Sequence, residues 1–464
     1  MITKKNKNAV CLFAIIFFCL FMFSCATDQK KSPQGPVFSN EIEPIIFKHC
    51  TPCHRPGSGA PFDLLTYEDV IRRLQTIKLA VNERLMPPWP ADTNYRHFRD
   101  EKVMTKEEID LLNTWIENGA PIGDSTRHSD PPLFENNSKF GKPDMVIRMK
   151  DPVYVKGNNQ DNFLMMKIPY ELPADTFIQA IEIIPGNTKI VHHINAHLIQ
   201  YKSGAKKNKD GGLPYVDTEK FDKLEAYEKL DLKNDDGTYP LLTPSVTNYL
   251  PGVETAFYPE GIGGYRAYKQ GALLLDNIHY GPSPNDTSDQ TSFNIFFSAE
   301  APKRPVSEFI LGTSGISPVV PKLVIPPNTI KKFTTSYQIP EDISLLTINP
   351  HMHLLGVSFL AYATLPNGDT IPLIRIPQWD FRWQYFYTFR KIVKIPAGSI
   401  MKAEAVFDNT EDNPLIPFHP PKTVSERDGS MRTTDEMFQL ICTYIPYQPG
   451  DENISLEMNS THGN

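Results

Sequence analysis

Forty-two of the 464 residues are proline, recurring from Pro33 to Pro449; an average chain carries about 5%. Proline offers no amide hydrogen to a helix or a central strand, and its ring clashes with the preceding helical turn. A mostly helical protein is therefore excluded, and short strands joined by proline-bearing loops are expected. Such strands read as apolar, β-branched runs at Phe163–Ile168, Phe177–Ile184, Leu273–Asn277, Phe293–Phe297, Ile343–Ile348, Phe359–Thr364, Ile400–Phe407 and Phe438–Ile445. The turn signals Pro185-Gly186-Asn187, Pro366-Asn367-Gly368-Asp369 and Pro396-Ala397-Gly398 lie between them. This pattern predicts β-sandwiches. Hydrophobic residues at 40% suffice for several cores, and the length suggests about three domains. With 47 basic against 54 acidic residues the net charge is −7. No long basic run exists, which argues against a nucleic-acid partner.

The N-terminus carries Lys4, Lys5 and Lys7 followed by an apolar run, Ala9–Phe23. The run is short for a membrane span and suits an export signal. Ser24-Cys25 at its end resembles a bacterial lipoprotein box, which implies cleavage after residue 24 and lipidation of Cys25. A plain signal peptide or an uncleaved anchor helix are the alternatives. The lipoprotein reading places the protein in a bacterial cell envelope, lipid-anchored on the outer membrane and facing the periplasm. Residues 25–36 then serve as a linker. Cys11 and Cys19 fall in the signal, leaving Cys50, Cys53 and Cys442 in the mature body.

Cys50-Thr51-Pro52-Cys53-His54 is a CxxCH motif. Its two thiols are spaced to form thioethers with haem vinyl groups, and the adjacent His54 is placed to ligate iron. A chance CxxC, redox or zinc-binding, is the competing reading, but no second CxxC completes a zinc site. Met86, ahead of Pro87-Pro88-Trp89, is the expected sixth ligand, because a rigid proline loop can hold a soft thioether. Met104 and His97 are the next candidates. Thr105 and Glu108 form a capping box for a helix with apolar Ile109, Leu112, Trp115 and Ile116, and Gly119 suits its end. Residues 37–124 resemble a small all-α cytochrome c domain with covalent haem c.

Residues 125–142 read as a linker. Two sandwiches are expected at 143–320 and 321–464, with 203–240 as a surface insertion. Four motifs carry candidate chemistry: His192-His193 with His197, then His279-Tyr280-Gly281, then His351-Met352-His353, then Asp435-Glu436-Met437. Residues i and i+2 of a strand share a face, so His351 and His353 can converge on one metal. Adjacent His192 and His193 need a local twist to do the same. Imidazole suits copper, zinc, iron or nickel, and an added thioether favours copper.

In this order the motifs resemble the copper type II, ascorbate-dependent monooxygenases (peptidylglycine α-hydroxylating monooxygenase-like) over roughly residues 143–450. Ile184-Pro185-Gly186-Asn187, Tyr258-Pro259-Glu260-Gly261-Ile262-Gly263, Trp379-Asp380-Phe381-Arg382-Trp383-Gln384 and Phe407-Asp408-Asn409 add to the likeness. Bacterial members fused to a cytochrome c with a Met-Pro-Pro-Trp loop share this layout. The resemblance implies two jelly-roll-like sandwiches and two copper ions. His192, His193 and His279 would hold an electron-storing copper. His351, His353 and Met437 would hold the catalytic copper, where O2 and a small-molecule substrate meet. His197 has no counterpart; a surface position is expected for it, the alternative being a supporting role behind the ligands, since on a strand it would face the same way as His193. An arginine that anchors a peptide carboxylate in the peptide-specific member is replaced by Asn349, with Gln439 and Ile441 at other contact positions. A peptidyl-glycine substrate is thus not expected.

The expected function is hydroxylation of a C–H bond, with electrons from an external donor, ascorbate-like or a redox protein, possible relay being through the tethered haem. The alternative is a non-catalytic haem and copper electron-transfer lipoprotein. A metal-free hydrolase of the same architecture has no use for six ligand-type residues.

Overall fold

A computed structural model describes residues 35–457 apart from 125, 127–131, 133–137, 139, 252–257, 260 and 428–431. The signal segment, Cys25 and most of the 25–36 and 125–142 linkers lie outside the described residues. The chain is mostly β. No helix among the described residues is long and apolar enough to cross a membrane.

Short helices open the described chain: Glu43–His49, Tyr67–Arg72, Leu74–Asn82 and Lys106–Glu117. They close on a core of their own, with Phe38, Ile42, Val70, Leu112 and Trp115 almost wholly buried. The capping box expected at Thr105 and Glu108 forms, each side chain bonding the other's backbone N–H. Glu108 also pairs with Lys48 and His49, locking the last helix to the one preceding the CxxCH motif.

Two pairs of antiparallel sheets follow. In the first, a four-stranded sheet (Met145–Arg148, Ser292–Ser298, Thr176–Ile184, Tyr265–Ala267) faces a six-stranded one built around Asn162–Glu171, Gln270–Tyr280 and Val191–Tyr201. Ile181, Leu273, Ile278, Phe293 and Ile295 fill the space between them. In the second, Ser307–Gly312, Phe438–Pro446, Ile343–Met352 and Tyr387–Ile395 face a five-stranded sheet that includes Ile330–Gln338, Ile400–Asp408 and Gly356–Thr364. Ile400–Asp408 shows the alternation the sequence implied, with Met401, Ala403, Ala405 and Phe407 turned into the core.

Three features differ from the sequence expectation. Ser307–Gly312 pairs with Phe438–Pro446, so the second sandwich takes its edge strand from ahead of the expected boundary at 320. Residues 203–240 are more than a surface insertion. Val216, Ala226, Leu230 and Leu232 pack with Met165, Ile199, Tyr201, Ala272 and Leu274 into a separate buried cluster on the outer face of the six-stranded sheet.

The third difference concerns how the helical unit is attached. The linker 125–142 was expected to join the helical unit to the sandwiches, yet residues 88–101 are themselves built into the second sandwich. Ala91 and Phe98 belong to its core. The Arg99 N–H donates to the Thr388 carbonyl at 2.8 Å, and Asp92 N–H to the Arg375 carbonyl at 2.8 Å. Asp92 also salt-bridges Arg375, and Glu101 pairs with Arg390. The CxxCH side reaches the first sandwich as well, where the Thr188 hydroxyl donates to the Gly57 carbonyl at 3.0 Å.

Candidate metal centres

His192, His193 and His279 come together, their ligand atoms all within 4.8 Å of one another. The backbone explains how adjacent histidines share a face. His193 pairs with His279, but the next partner of Tyr280 is Val191, so His192 is the extra residue of a bulge. A bulge turns one side chain that alternation would have sent to the other face.

His192 and His193 are prepared as neutral ligands. Burial, then the neighbouring His279, lowers the pKa of His192 to about 4. Burial, then His279, His192 and His351, hold His193 well below its ordinary value. Nε2–H of His279 donates to the Asp161 carboxylate at 2.7 Å. That bond leaves the lone pair on Nδ1, and Nδ1 of His279 is buried with no hydrogen-bond partner. An orphaned buried acceptor among two other imidazoles is what a metal ligand looks like before the ion is counted.

The second set is assembled by strand pairing. His351 lies near the end of Ile343–Met352 and His353 just beyond it, with ring centroids 5.1 Å apart. Met352 pairs with Phe438 in the antiparallel ladder. Continuing that register by one residue sets Met437 opposite His353, and Met437 is buried. Nδ1–H of His353 donates to the Asp435 carbonyl at 2.9 Å, and Nδ1–H of His351 to Oε1 of Gln384. In both rings Nε2 therefore keeps its lone pair. Burial, then His353, lowers His351 to about 3, and burial lowers His353 to about 4.

Glu436 ties this set together. Its carboxylate accepts the N–H groups of His353 at 2.9 Å, Leu355 at 2.7 Å and Met437 at 3.0 Å. Burial nevertheless raises its pKa to about 8, because those three bonds recover only part of its lost hydration.

The loop between Ile376 and Tyr387 spans both sets. Phe381 lies 5.9 Å from the His353 ring and 6.5 Å from Phe163, which stacks on His279 at 4.3 Å. Trp383 lies 6.0 Å from His192. Aromatic rings therefore lie close to both histidine sets, one set on each sandwich. The elaborated 203–240 segment borders this region too, since Glu219 accepts the Thr433 N–H at 3.2 Å, just ahead of Met437.

At the CxxCH motif, Cys50 and Cys53 are free thiols, half-buried. Nδ1–H of His54 donates to the Phe62 carbonyl at 2.9 Å, which leaves Nε2 available to iron. Met86 is exposed at the end of helix Leu74–Asn82, and Met104 is buried in the helical core. His97 turns its exposed ring to Glu101. The indole N–H of Trp89 is buried without a partner. The free thiols and the oriented histidine fit a haem group.

His197 is not on the surface. Its Nδ1 lies 3.0 Å from the Thr243 carbonyl and its Nε2 3.2 Å from the Asp276 carboxylate, with 14% of the side chain exposed. Asp161 was not named from the sequence, and Gln384 and Glu436 only as members of motifs, without a role. Glu436 adjoins Met437, and Gln384 ends the Trp-Asp-Phe-Arg-Trp-Gln run, but nothing local signals Asp161.

No protein-family model matches the chain, and no curated protein does. Among solved structures it is compared with viral capsid proteins. The infectious bursal disease virus VP2 subviral particle is 8% identical, with a TM-score of 0.18 over 69% of this chain and 75% of that one. The Gx strain structure of that virus is 10% identical, with a TM-score of 0.18 over 68% and 75%. Sulfolobus Turreted Icosahedral Virus is 8% identical, with a TM-score of 0.17 over 66% and 90%. Scores this low carry no argument.

Proposed function

We propose that this chain is a copper-dependent monooxygenase of the two-sandwich, ascorbate-dependent type, carrying a covalent haem c on its helical unit. The observation that carries the reading is the buried, unpartnered Nδ1 of His279 beside His192 and His193. Bound at the two sets, copper would supply one-electron storage and oxygen activation; haem would supply a one-electron carrier.

The chain's own residues do the rest. His192, His193 and His279 offer three imidazole nitrogens, a set that holds one ion tightly in place. His351, His353 and Met437 offer two nitrogens and a weak thioether, which favours the reduced metal and leaves room for oxygen. Asp161, Gln384 and the Asp435 carbonyl fix the tautomers, and Glu436 fixes the backbone that presents His353 and Met437. Phe163, Phe381 and Trp383 keep the cleft between the sets apolar and limit water.

The test is metal analysis of the exported protein, then oxygen uptake with ascorbate as reductant. Two coppers per chain and copper-dependent uptake are expected. One copper or none after reconstitution, or a preference for zinc, would overturn the reading. The non-catalytic electron-transfer alternative predicts the same metals and no substrate-coupled uptake.

A further inference from the structure

The loop 377–386 carries a row of rings that joins the helical unit to the three-histidine set. Tyr385 is 2% exposed. Its hydroxyl donates to the Pro88 carbonyl at 2.7 Å, and its ring lies 5.4 Å from Trp89, both residues belonging to the loop that follows Met86. Trp383 stacks on Tyr385 with centroids 6.2 Å apart and planes 14° apart. Trp383 in turn lies 6.0 Å from His192.

Gln384, between them in sequence, points the other way and takes the Nδ1–H of His351. The backbone alternation of an extended segment thus sorts the loop into two sides. The aromatic side runs from the helical unit to the three-histidine set. The amide side braces the His-Met set; the loop ring near that set, Phe381, lies 5.9 Å from His353 and reaches Phe163, apart from the Trp383–Tyr385 row.

Resting on the monooxygenase reading above, we propose that Tyr385 and Trp383 form the one-electron conduit from the haem-bearing unit to the three-histidine site. The electron balance is simple. Ferrous haem iron loses one electron and becomes ferric. Cu(II) at His192, His193 and His279 gains it and becomes Cu(I). No proton moves, and the two rings bridge the transfer without being oxidised. Tyr385 keeps its proton in the bond to Pro88, and burial, then Cys53, raises its pKa well above the ordinary tyrosine value. A row of buried rings can also be mere packing, so the two roles must be separated by measurement.

The experiment uses the full chain with haem attached and copper loaded. Pulse radiolysis reduces the haem of the oxidised protein. Its reoxidation is followed optically, and the loss of Cu(II) by freeze-quench paramagnetic resonance. Wild type should show concentration-independent haem reoxidation matched by Cu(II) loss. Trp383→Leu should slow it by an order of magnitude, at unchanged copper content, haem spectrum and midpoint potentials, while Trp383→Phe should recover much of the rate. Emptying the second set with His351→Ala should leave the rate intact, and emptying the first with His192→Ala should abolish it. An unchanged rate in fully loaded Trp383→Leu would overturn the conduit and leave the monooxygenase reading standing. A wild-type protein that lacks covalent haem or takes up no copper would overturn that reading and the conduit with it.

Discussion

Trp383 belongs to the second sandwich and His192 to the first, yet their rings lie 6.0 Å apart. One ten-residue loop touches all three units. Its Phe381 stands near His353 and Phe163, its Gln384 orients His351, and its Tyr385 holds the Met-Pro-Pro-Trp loop. A shift of this loop would disturb both histidine sets and the docking of the helical unit together.

Asp161 should matter to copper at the first site although it touches no other ligand. It fixes His279 with Nε2 protonated, so that Nδ1 faces His192 and His193. Losing such a carboxylate partner typically weakens metal binding about 10- to 100-fold. Asp161→Ala should show that loss in competition with a Cu(I) chelator, and the His351 site should be unaffected.

Glu436→Ala would leave three buried N–H groups without an acceptor, those of His353, Leu355 and Met437. An unsatisfied buried donor costs about 1–3 kcal/mol. The thermal midpoint should therefore drop clearly, and copper at the second site should fall while the first stays loaded. Glu436→Gln, which keeps the shape and one good acceptor, should lie between. A Glu436→Ala protein with wild-type stability and two coppers would contradict this role.

How much of this was legible in the sequence follows from range. Strand existence was legible because alternation is local, as in Ile400–Asp408. The pairing of His351 with His353 was legible for the same reason. The sharing of one site by His192 and His193 was legible only through the resemblance, because geometrically it needs a bulge set by the partner strand Gln270–Tyr280. The Asp161–His279 bond spans 118 residues and the docking of Phe98 against Phe389 spans 291, far beyond any local pattern. Val191–Tyr201 was read as a histidine motif rather than a strand, since its polar residues break the apolar run. His197 was misplaced because a lone histidine carries no sign of a buried carboxylate partner such as Asp276.

That pair gives a pH prediction. Burial opposes the charged form of His197, but Asp276 more than compensates and lifts its pKa to about 9. A raised folded pKa stabilises fully below the ordinary value of about 6.5, and the contribution is lost as pH rises through about 9. Asp276, itself held below its ordinary value by His197 against the effect of burial, remains ionised throughout. The integrated contribution is up to roughly 3 kcal/mol. Between neutral pH and about pH 9, the thermal midpoint of wild type should fall more than that of His197→Gln. Parallel curves for the two proteins would refute the charged pair.

Phe98 tests whether the helical unit is fused to the second sandwich or merely tethered. It is fully buried, in contact with Phe389 and Tyr387. Truncating such a ring costs about 3–5 kcal/mol. With Phe98→Ala, the unfolding of the β region should move down together with the loss of the haem environment. A β transition that stays put would show a tether.

The substrate should not be a peptide ending in glycine. In the resembling peptide enzyme, a carboxylate is fixed by an arginine whose position here is Asn349. That asparagine is buried, and its amide donates to the Tyr385 carbonyl at 2.8 Å. Gln439 is equally committed, its amide donating to the Thr313 carbonyl at 2.7 Å. Ile441 brings no polar group. Swinging either amide towards a carboxylate would strip a carbonyl of its donor, and a neutral amide would still lack the charge assistance that makes an arginine clamp strong. Glycine-extended peptides should therefore fail to accelerate oxygen uptake over the ascorbate background, whereas neutral apolar compounds that fit beside Phe163 and Phe381 should be the first to do so. Efficient turnover of a glycine-extended peptide would show that the chain anchors a carboxylate elsewhere in the cleft.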